Sequence, residues 1–151
     1  MTGGTLRNCL VVGNKAKSSA CGVYAKGDSS VVENCTIVKN DNASGSNCSG
    51  LIAENSKLTV RNSIIRYNMN TSGEANVSRG ANATFDQVCT TTEAGTAGVV
   101  TGDPTFVDKD NGDWHVGYGA CVDVGVNQVW MADNLAFQAE ESYPPDGDIK
   151  N

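Results

Sequence analysis

The sequence has few of the residues that build long helices or large aromatic cores. Aromatic residues make up 6% of the 151 residues, charged residues 19%, and there are only 3 prolines. Long helices need Ala, Leu, Glu and Lys in bulk, whereas this chain is rich in Asn, Ser, Thr and Gly. Short β-branched runs separated by Asn, Ser and Gly clusters are typical of short strands joined by tight turns. The composition therefore predicts a single all-β domain.

Other absences narrow the class of partner. The chain has no run of 18 apolar residues, so it predicts no membrane span. Its 11 basic residues are scattered and its net charge is −6, whereas nucleic-acid binding needs clustered Lys and Arg. The 6 cysteines form no Cys-x-x-Cys pair, which argues against zinc and thioredoxin-type sites. We therefore expect no nucleic-acid partner, no membrane span, no metal and no cofactor.

An internal repeat is the strongest signal in the sequence. Three segments align without gaps: LRNCLVVGN at 6–14, VENCTIVKN at 32–40 and VRNSIIRYN at 60–68, with a degenerate fourth copy, FDQVCTT, at 85–91. Their third position holds Asn8, Asn34, Asn62 and Gln87. A second element, GVYAK at 22–26, recurs as GLIAE at 50–54, again 28 residues on. Two elements that share one period indicate a stack of repeated coils.

Each repeat has the pattern of a strand, a sharp bend and a second strand. Asn adopts the left-handed conformation of such a bend better than other non-glycine residues. The small residue after it would occupy the inner corner. Alternation then points one apolar set into the stack, namely Leu6, Val32, Val60, Phe85, Val11, Ile37 and Ile65. The opposite set, Thr36, Val38 and Arg66, would point outward, and the second coil would hold strands at 22–25, 30–33 and 35–39.

Together these patterns predict a parallel β-helix of about four coils. The coils span residues 3–101, an irregular terminal coil or cap spans 102–126, and a partly helical segment with a loose tail spans 127–151. Asn8, Asn34 and Asn62 would form a ladder of side-chain amides, hydrogen-bonded along the stack. The alternative is that they are unconnected turn residues, which their shared period disfavours.

GVYA at 22–25 followed by VVENCTIVKN at 31–40 resembles the repeats of bacterial right-handed β-helix proteins of the pectate-lyase-like superfamily. GDPTFVDKDNGDWHV at 102–116, followed by GACVDVG at 119–125, is similar to the closing segment of such proteins. This chain departs from that segment at Gly119-Ala120, where the family usually has Ser-Pro.

The resemblance covers roughly residues 3–130 and implies a right-handed parallel β-helix. It also implies an extracellular or cell-envelope location and a longer parent protein, of which this chain is the C-terminal part. It specifies activity poorly, because the superfamily includes lyases, hydrolases, adhesins and phage tailspikes.

Stacking would bring pairs of cysteines together. In-register residues on adjacent strands have Cα atoms about 4.8 Å apart, within the range that a disulfide allows. Cys9 with Cys35, and Cys21 with Cys48, are therefore possible disulfides between coils. For Cys9 and Cys35 we favour free thiols packed as small apolar groups, and for Cys21 and Cys48 both states stay open.

Four outward apolar residues would form an exposed strip, which is unusual on a protein surface. They are Leu10, Val12, Val38 and Ile64. Helix formation is most compatible with the pattern NQVWMADNLAF at 127–137. We therefore expect the C-terminal segment, or a neighbouring domain, to lie over this strip or over the open end of the stack, with Trp130 buried.

An acidic cluster near the end of the repeats could hold calcium or cap turns. Its members are Asp103, Asp108, Asp110, Asn111 and Asp113. Counted from Asp108, the glycine and the final acid of an EF-hand fall at the wrong positions, so turn capping is favoured. His115, the single histidine, lies in a strand-like run and is predicted to be structural.

A row of side chains after the first strand of each coil is the candidate binding surface. Lys26, Glu54 and Arg79 would lie on successive coils about 5 Å apart. With Tyr24 and Ile52 they could form a shallow polysaccharide-binding strip. The alternative is a solvated row of alternating charge. Since no pair of acids is placed as a glycoside hydrolase requires, we name no catalytic residue.

Three functions are compatible with these features. We favour a non-catalytic β-helix segment of a secreted or cell-surface protein, acting as a scaffold or a carbohydrate-binding or adhesive surface. Its partners would be a polysaccharide or a surface protein, together with upstream coils of the same parent. The alternative is the C-terminal coils of a polysaccharide lyase or glycoside hydrolase whose catalytic coils lie upstream. A third is a tailspike-like trimer in which the apolar strip is an interface.

Overall fold

The computed structural model describes residues 1–17, 22–27, 29–44, 50–54, 57–117, 119 and 121. Over these residues the chain is all-β, without helices, and most strand pairs are parallel. This confirms the predicted all-β class and is compatible with a solenoid. No helix in this part of the chain has the length and apolar character needed to cross a bilayer.

Fifteen short strands lie within the described residues. In chain order they are β1 Gly4–Arg7, β2 Leu10–Val12, β3 Val23–Lys26, β4 Ser30–Glu33, β5 Thr36–Val38, β6 Asp41–Asn42, β7 Leu51–Glu54, β8 Leu58–Arg66, β9 Met69–Asn70, β10 Gly73–Glu74, β11 Val77–Arg79, β12 Thr84–Cys89, β13 Val99–Val100, β14 Phe106–Asp108 and β15 Asp113–Val116. The second repeat thus contains β3, β4 and β5, close to the three strands expected for one coil.

The repeats pair in register along parallel sheets. One sheet runs β1-β4-β8-β12-β13, with β2-β5-β8 branching from it, and another runs β11-β7-β3. One row of partners joins Leu6, Val32, Val60 and Phe85, and a second joins Val11, Ile37 and Ile65. Equivalent positions of the repeat therefore become neighbours in space.

Bends at the asparagine position separate the two strands of each repeat. Asn8, Asn34, Asn62 and Gln87 have φ of 55°, 51°, 47° and 54°, in the left-handed region that Asn tolerates best among residues with a side chain. In the third and fourth repeats the bend lies inside β8 and β12. Four bends of the same kind turn the chain at the same place in each repeat.

The inward-pointing residues form the main core. Val32, Ile37, Val60 and Ile65 are fully buried, and they pack with residues of β3, β7 and β12 in one cluster. Leu6 and Val11 of the first repeat pack against this cluster but are only partly buried, because fewer strands flank them. Burying such side chains contributes about 1.5–3 kcal/mol each.

The outward face of these strands, which includes Thr36, Val38 and Arg66, is covered in part. All three are buried. Val38 and Ile64 form a second apolar cluster with Phe106, Cys89 and Cys121. The covering element is the antiparallel hairpin of β14 and β15, within the region predicted to be a terminal coil. Trp130 and the predicted helix at 127–137 lie outside the described residues.

Polar contacts hold the hairpin on the strands at both ends. At its base, Arg66 Nη1 donates to the Gly102 carbonyl at 2.6 Å, and the Tyr67 hydroxyl is 2.8 Å from both carboxylate oxygens of Asp103. Burial, followed by the Asp103 contact, raises the pKa of Tyr67 to about 12. Near the tip, Lys39 Nζ donates to the Lys109 carbonyl at 2.7 Å. The hairpin is therefore positioned by residues of the repeats themselves.

A row of alternating charge crosses the strands beside the bends. Arg7, Glu33, Arg61 and Asp86 are in-register partners on β1, β4, β8 and β12. Glu33 is 6% exposed and pairs with both arginines, with Arg61 Nε donating at 2.6 Å. Hydrogen bonding from Arg61, and then from Arg7, holds the Glu33 pKa below its ordinary value of 4.5.

We predict that Glu33→Gln destabilises the protein near neutral pH and much less in acid. Because the folded-state pKa of Glu33 is lowered, its contribution is present above about pH 4.5 and is lost as pH falls through the folded pKa. Urea unfolding at about pH 7 and about pH 3 measures the penalty at each pH. Glu54→Gln, at an exposed pair, is the control and should show little penalty at either pH. A Glu33→Gln penalty independent of pH would contradict the assignment.

Candidate functional site

Four of the five residues predicted to bind carbohydrate lie together on β3 and β7. Tyr24 pairs with Ile52, and Lys26 with Glu54. Tyr24 and Ile52 are half-buried. Lys26 Nζ is 3.7 Å from Glu54 Oε1, with both side chains well exposed. A surface ion pair of this kind contributes at most about 1 kcal/mol.

Arg79 is not the third member of that row. On β11 it pairs with Ala53, not with Glu54, because the repeat is 26 residues long here, from 53 to 79, instead of 25. Its Nε donates to Glu93 Oε2 at 2.7 Å, and its guanidinium lies over the Phe85 ring. Arg79 therefore belongs to a separate ion pair beside the fourth repeat.

The predicted amide ladder is formed only in part. Asn34 Nδ2 donates to Asn8 Oδ1 at 3.2 Å, but Asn34 Oδ1 is buried without a partner and so accepts no bond from Asn62. The three residues share one corner, as predicted. Their left-handed backbone, more than a continuous chain of amides, accounts for asparagine at this position.

A different row of asparagines forms the continuous ladder. Asn14 Nδ2 donates to Asn40 Oδ1 at 2.9 Å, Asn40 Nδ2 to Asn68 Oδ1 at 2.8 Å, and Asn68 Nδ2 to Asn76 Oδ1 at 3.1 Å. Each acceptor oxygen also receives the backbone N–H of the donor residue. Asn40, Asn68 and Asn76 are fully buried. The separations of 26 and 28 residues equal those of the first row, so the repeat alignment already contained this signal.

The cysteines divide into free and bonded residues. Cys9 and Cys35 are free thiols, and burial raises the pKa of Cys35 to about 11, which makes it unreactive at neutral pH. Cys21 and Cys48 lie outside the described residues. Cys89 is bonded to Cys121, a pair that repeat spacing could not identify because its separation of 32 is not the repeat period.

The acids of the predicted cluster cap turns. Asp108 accepts from the Asn111 N–H at 3.2 Å and from Asn111 Nδ2 at 2.7 Å. Asp103 accepts from the Thr105 N–H at 2.8 Å, and this bond, with the Tyr67 hydroxyl, lowers the Asp103 pKa. Within the described ranges, no group of three or more acid, His or Cys side chains is placed to hold a metal.

The hairpin creates a groove that sequence analysis did not identify. The groove measures about 360 Å³ and lies between the hairpin and the outward face of β2 and β5. The residues that line it are Leu10, Thr36, Asn111, Gly112, Asp113, Trp114 and His115. Leu10 is 52% exposed. A small, mainly apolar groove with a few polar groups is the usual form of a ligand site.

Trp114 contacts two neighbouring side chains in the groove. Its ring packs edge-on against Phe106, with centroids 5.1 Å apart. Lys39 Nζ lies 5.2 Å from the centre of the indole, a cation–π distance. A positioned indole offers an apolar surface together with an N–H donor.

Asp113 and His115 form a pair beside this indole. Asp113 Oδ1 accepts from the His115 N–H at 3.0 Å and contacts the His115 ring at Nδ1. These contacts, the N–H first, lower the Asp113 pKa, so the carboxylate is ionised at neutral pH. Asp113 supplies a carboxylate acceptor beside the indole among the described lining residues. The groove is therefore equipped for hydrogen bonding and stacking.

No family model matches the chain, and no significant match was found among the curated proteins or the solved structures. The chemistry of the described side chains is therefore the basis for assigning a function.

Proposed function

We propose that this chain is a segment of a right-handed parallel β-helix, of the pectate-lyase-like kind, from an extracellular or cell-envelope protein, and that it binds carbohydrate without cleaving it. The parallel in-register rows at separations of 26, 28 and 25 residues support the solenoid. The bends at Asn8, Asn34 and Asn62 support it as well, because each turns the chain at the same position of the repeat.

The groove beside Trp114 is the observation that carries the binding proposal. A sugar ring has apolar C–H faces and a rim of hydroxyls, and the groove offers one surface suited to each. The indole of Trp114 and the exposed side chain of Leu10 would pack against the apolar faces of the sugar ring. Asn111, Asp113 and Thr36 would form hydrogen bonds with its hydroxyls. The strip of Tyr24 and Ile52, beside the exposed Lys26–Glu54 ion pair, is the alternative site.

A glycan array followed by titration calorimetry tests this proposal. We predict that Leu10→Arg lowers affinity for the selected glycan at least about tenfold, or about 1.4 kcal/mol, because an exposed long side chain fills the groove without disturbing the core. Trp114→Ala should have a similar effect through loss of the indole.

Val107→Arg is the matched control, since Val107 is 64% exposed and does not line the groove; its affinity should equal that of the wild type. Binding that survives Leu10→Arg and Trp114→Ala but is lost in Tyr24→Ala would move the site to the strip. A rise in absorbance from unsaturated product, on incubation with uronate polymers, would contradict the non-catalytic assignment.

A further inference from the structure

Strands β1 and β2 of the first repeat form a sheet edge that resembles the pairings between successive repeats inside the molecule. β1 pairs with β4 on one side and β2 with β5 on one side, whereas β4 and β5 are paired on both sides. Leu10 and Val12 of this edge are 52% and 38% exposed, although their partners Thr36 and Val38 are buried. At the other end of the sheet, β13 adds to β12. Among the residues that the structure describes, no strand pairs with the outer side of β1 or β2, and sheet edges of this kind are sites of strand addition.

The backbone of this edge repeats the hydrogen-bonding pattern of the internal junctions. At the two junctions that follow it, Thr36 N donates to the Cys9 carbonyl and Ile64 N to the Cys35 carbonyl, both at 2.9 Å. Leu10 N occupies the equivalent donor position on the edge. The Glu33 carbonyl accepts from Asn8 N, and the Arg61 carbonyl accepts from Asn34 N. In both cases the donor belongs to the repeat nearer the edge. The Arg7 carbonyl is the equivalent acceptor on the edge itself.

The row of alternating charge and the amide ladder indicate which side chains a segment bound at this edge would carry. The row Arg7, Glu33, Arg61 and Asp86 alternates in sign, and it ends at the edge on Arg7, whose side chain is 58% exposed. An acid is therefore the complement at the preceding position. In the amide ladder, Asn40 and Asn68 each accept from the asparagine of the preceding repeat. Asn14 Oδ1 is therefore placed to accept from an asparagine of one further repeat.

We propose that the β1–β2 edge binds one further strand–bend–strand segment in parallel register, carrying an acid opposite Arg7 and an asparagine amide opposite Asn14. This inference rests on the observed register and not on carbohydrate binding. A second copy of the chain related by a twofold axis is a poorer occupant, because its β1 and β2 could not both lie in the parallel register that the internal junctions share. The second repeat itself has the required residues, Glu33 and Asn40.

A chain with a copy of residues 22–54 placed directly before Met1 tests the inference. The join places the copied Glu33 28 residues before Arg7 and the copied Asn40 28 residues before Asn14, the separations that Glu33 has from Arg61 and Asn40 from Asn68. We expect one cooperative urea transition with a higher midpoint and a larger slope than the parent chain, since a docked repeat adds both an interface and buried surface.

Two variants of the added copy show whether the stated chemistry is responsible. Glu33→Lys in the copy sets a lysine against Arg7, and Asn40→Ala in the copy removes the amide donor to Asn14; each should abolish most of the rise in midpoint. A copy that unfolds in a separate, earlier transition, or a rise unchanged by both substitutions, would overturn the proposal. So would sedimentation of the unmodified chain as a dimer at micromolar concentration, since a second copy would then be the occupant.

Discussion

Asn68→Ala should lower the free energy of unfolding by about 3–5 kcal/mol, the largest effect expected of a single polar substitution in this chain. Asn68 is fully buried. Its Oδ1 accepts from Asn40 N at 3.1 Å and from Asn40 Nδ2 at 2.8 Å, and its Nδ2 donates to the Ile37 carbonyl at 2.9 Å. Truncation leaves several of these buried groups without partners, at about 1–3 kcal/mol each.

Urea unfolding monitored by circular dichroism measures this loss. The matched control is Asn62→Gly at the other asparagine row. Glycine adopts the φ of 47° found at Asn62 without strain, so we expect a change within about 1 kcal/mol. If the two substitutions cost the same, the Asn14–Asn40–Asn68–Asn76 ladder is not the polar spine of the structure.

Removing the Cys89–Cys121 disulfide should cost about 3–4 kcal/mol on the loop-entropy estimate for its 32-residue separation. The bond joins β12 to the chain just beyond the hairpin, and both sulfurs lie in the second apolar cluster. Without it, the hairpin is held by the contacts of Arg66, Tyr67 and Lys39. We therefore expect Val38 and Ile64 to lose protection before the main core does.

Amide hydrogen exchange of the double variant Cys89→Ala/Cys121→Ala, alongside its urea midpoint, measures both effects. Cys9→Ala is the control, since Cys9 is a half-buried free thiol and should change stability little. Unchanged exchange at Val38 and Ile64 in the double variant would show that the disulfide does not secure the hairpin.

The repeat made the strand pairing and the inner face predictable. The repeat alignment and side-chain alternation predict one inward row of Leu6, Val32, Val60 and Phe85, and these residues are in-register partners in the structure. Such a prediction succeeds because stacking depends only on period and on side-chain alternation, both of which are local properties of the sequence.

The outer face was less predictable because it depends on contacts outside the repeats. Nothing in the spacing of Val38 and Ile64 indicates that a hairpin 40 or more residues later in the chain covers them. The groove beside Trp114 is formed by this hairpin, so the spacing does not predict the groove either.

The amide ladder predicted from the sequence is that of Asn8, Asn34 and Asn62, and the row of Asn14, Asn40 and Asn68 is not identified. Both rows share one period, and what distinguishes them is three-dimensional: Asn40 and Asn68 are fully buried, whereas Asn8 and Asn34 occupy left-handed bends.

The central claim is that successive repeats stack in parallel register, and methyl NOE spectroscopy on Ile- and Val-labelled protein tests it most directly. In-register side chains on neighbouring strands start from Cα atoms about 4.8 Å apart. We predict that Ile37 shows cross-peaks to both Val11 and Ile65, and Val32 to Val60. If Ile37 instead contacts neither residue, or gives the cross-peaks of an antiparallel pair, the stacked arrangement is wrong.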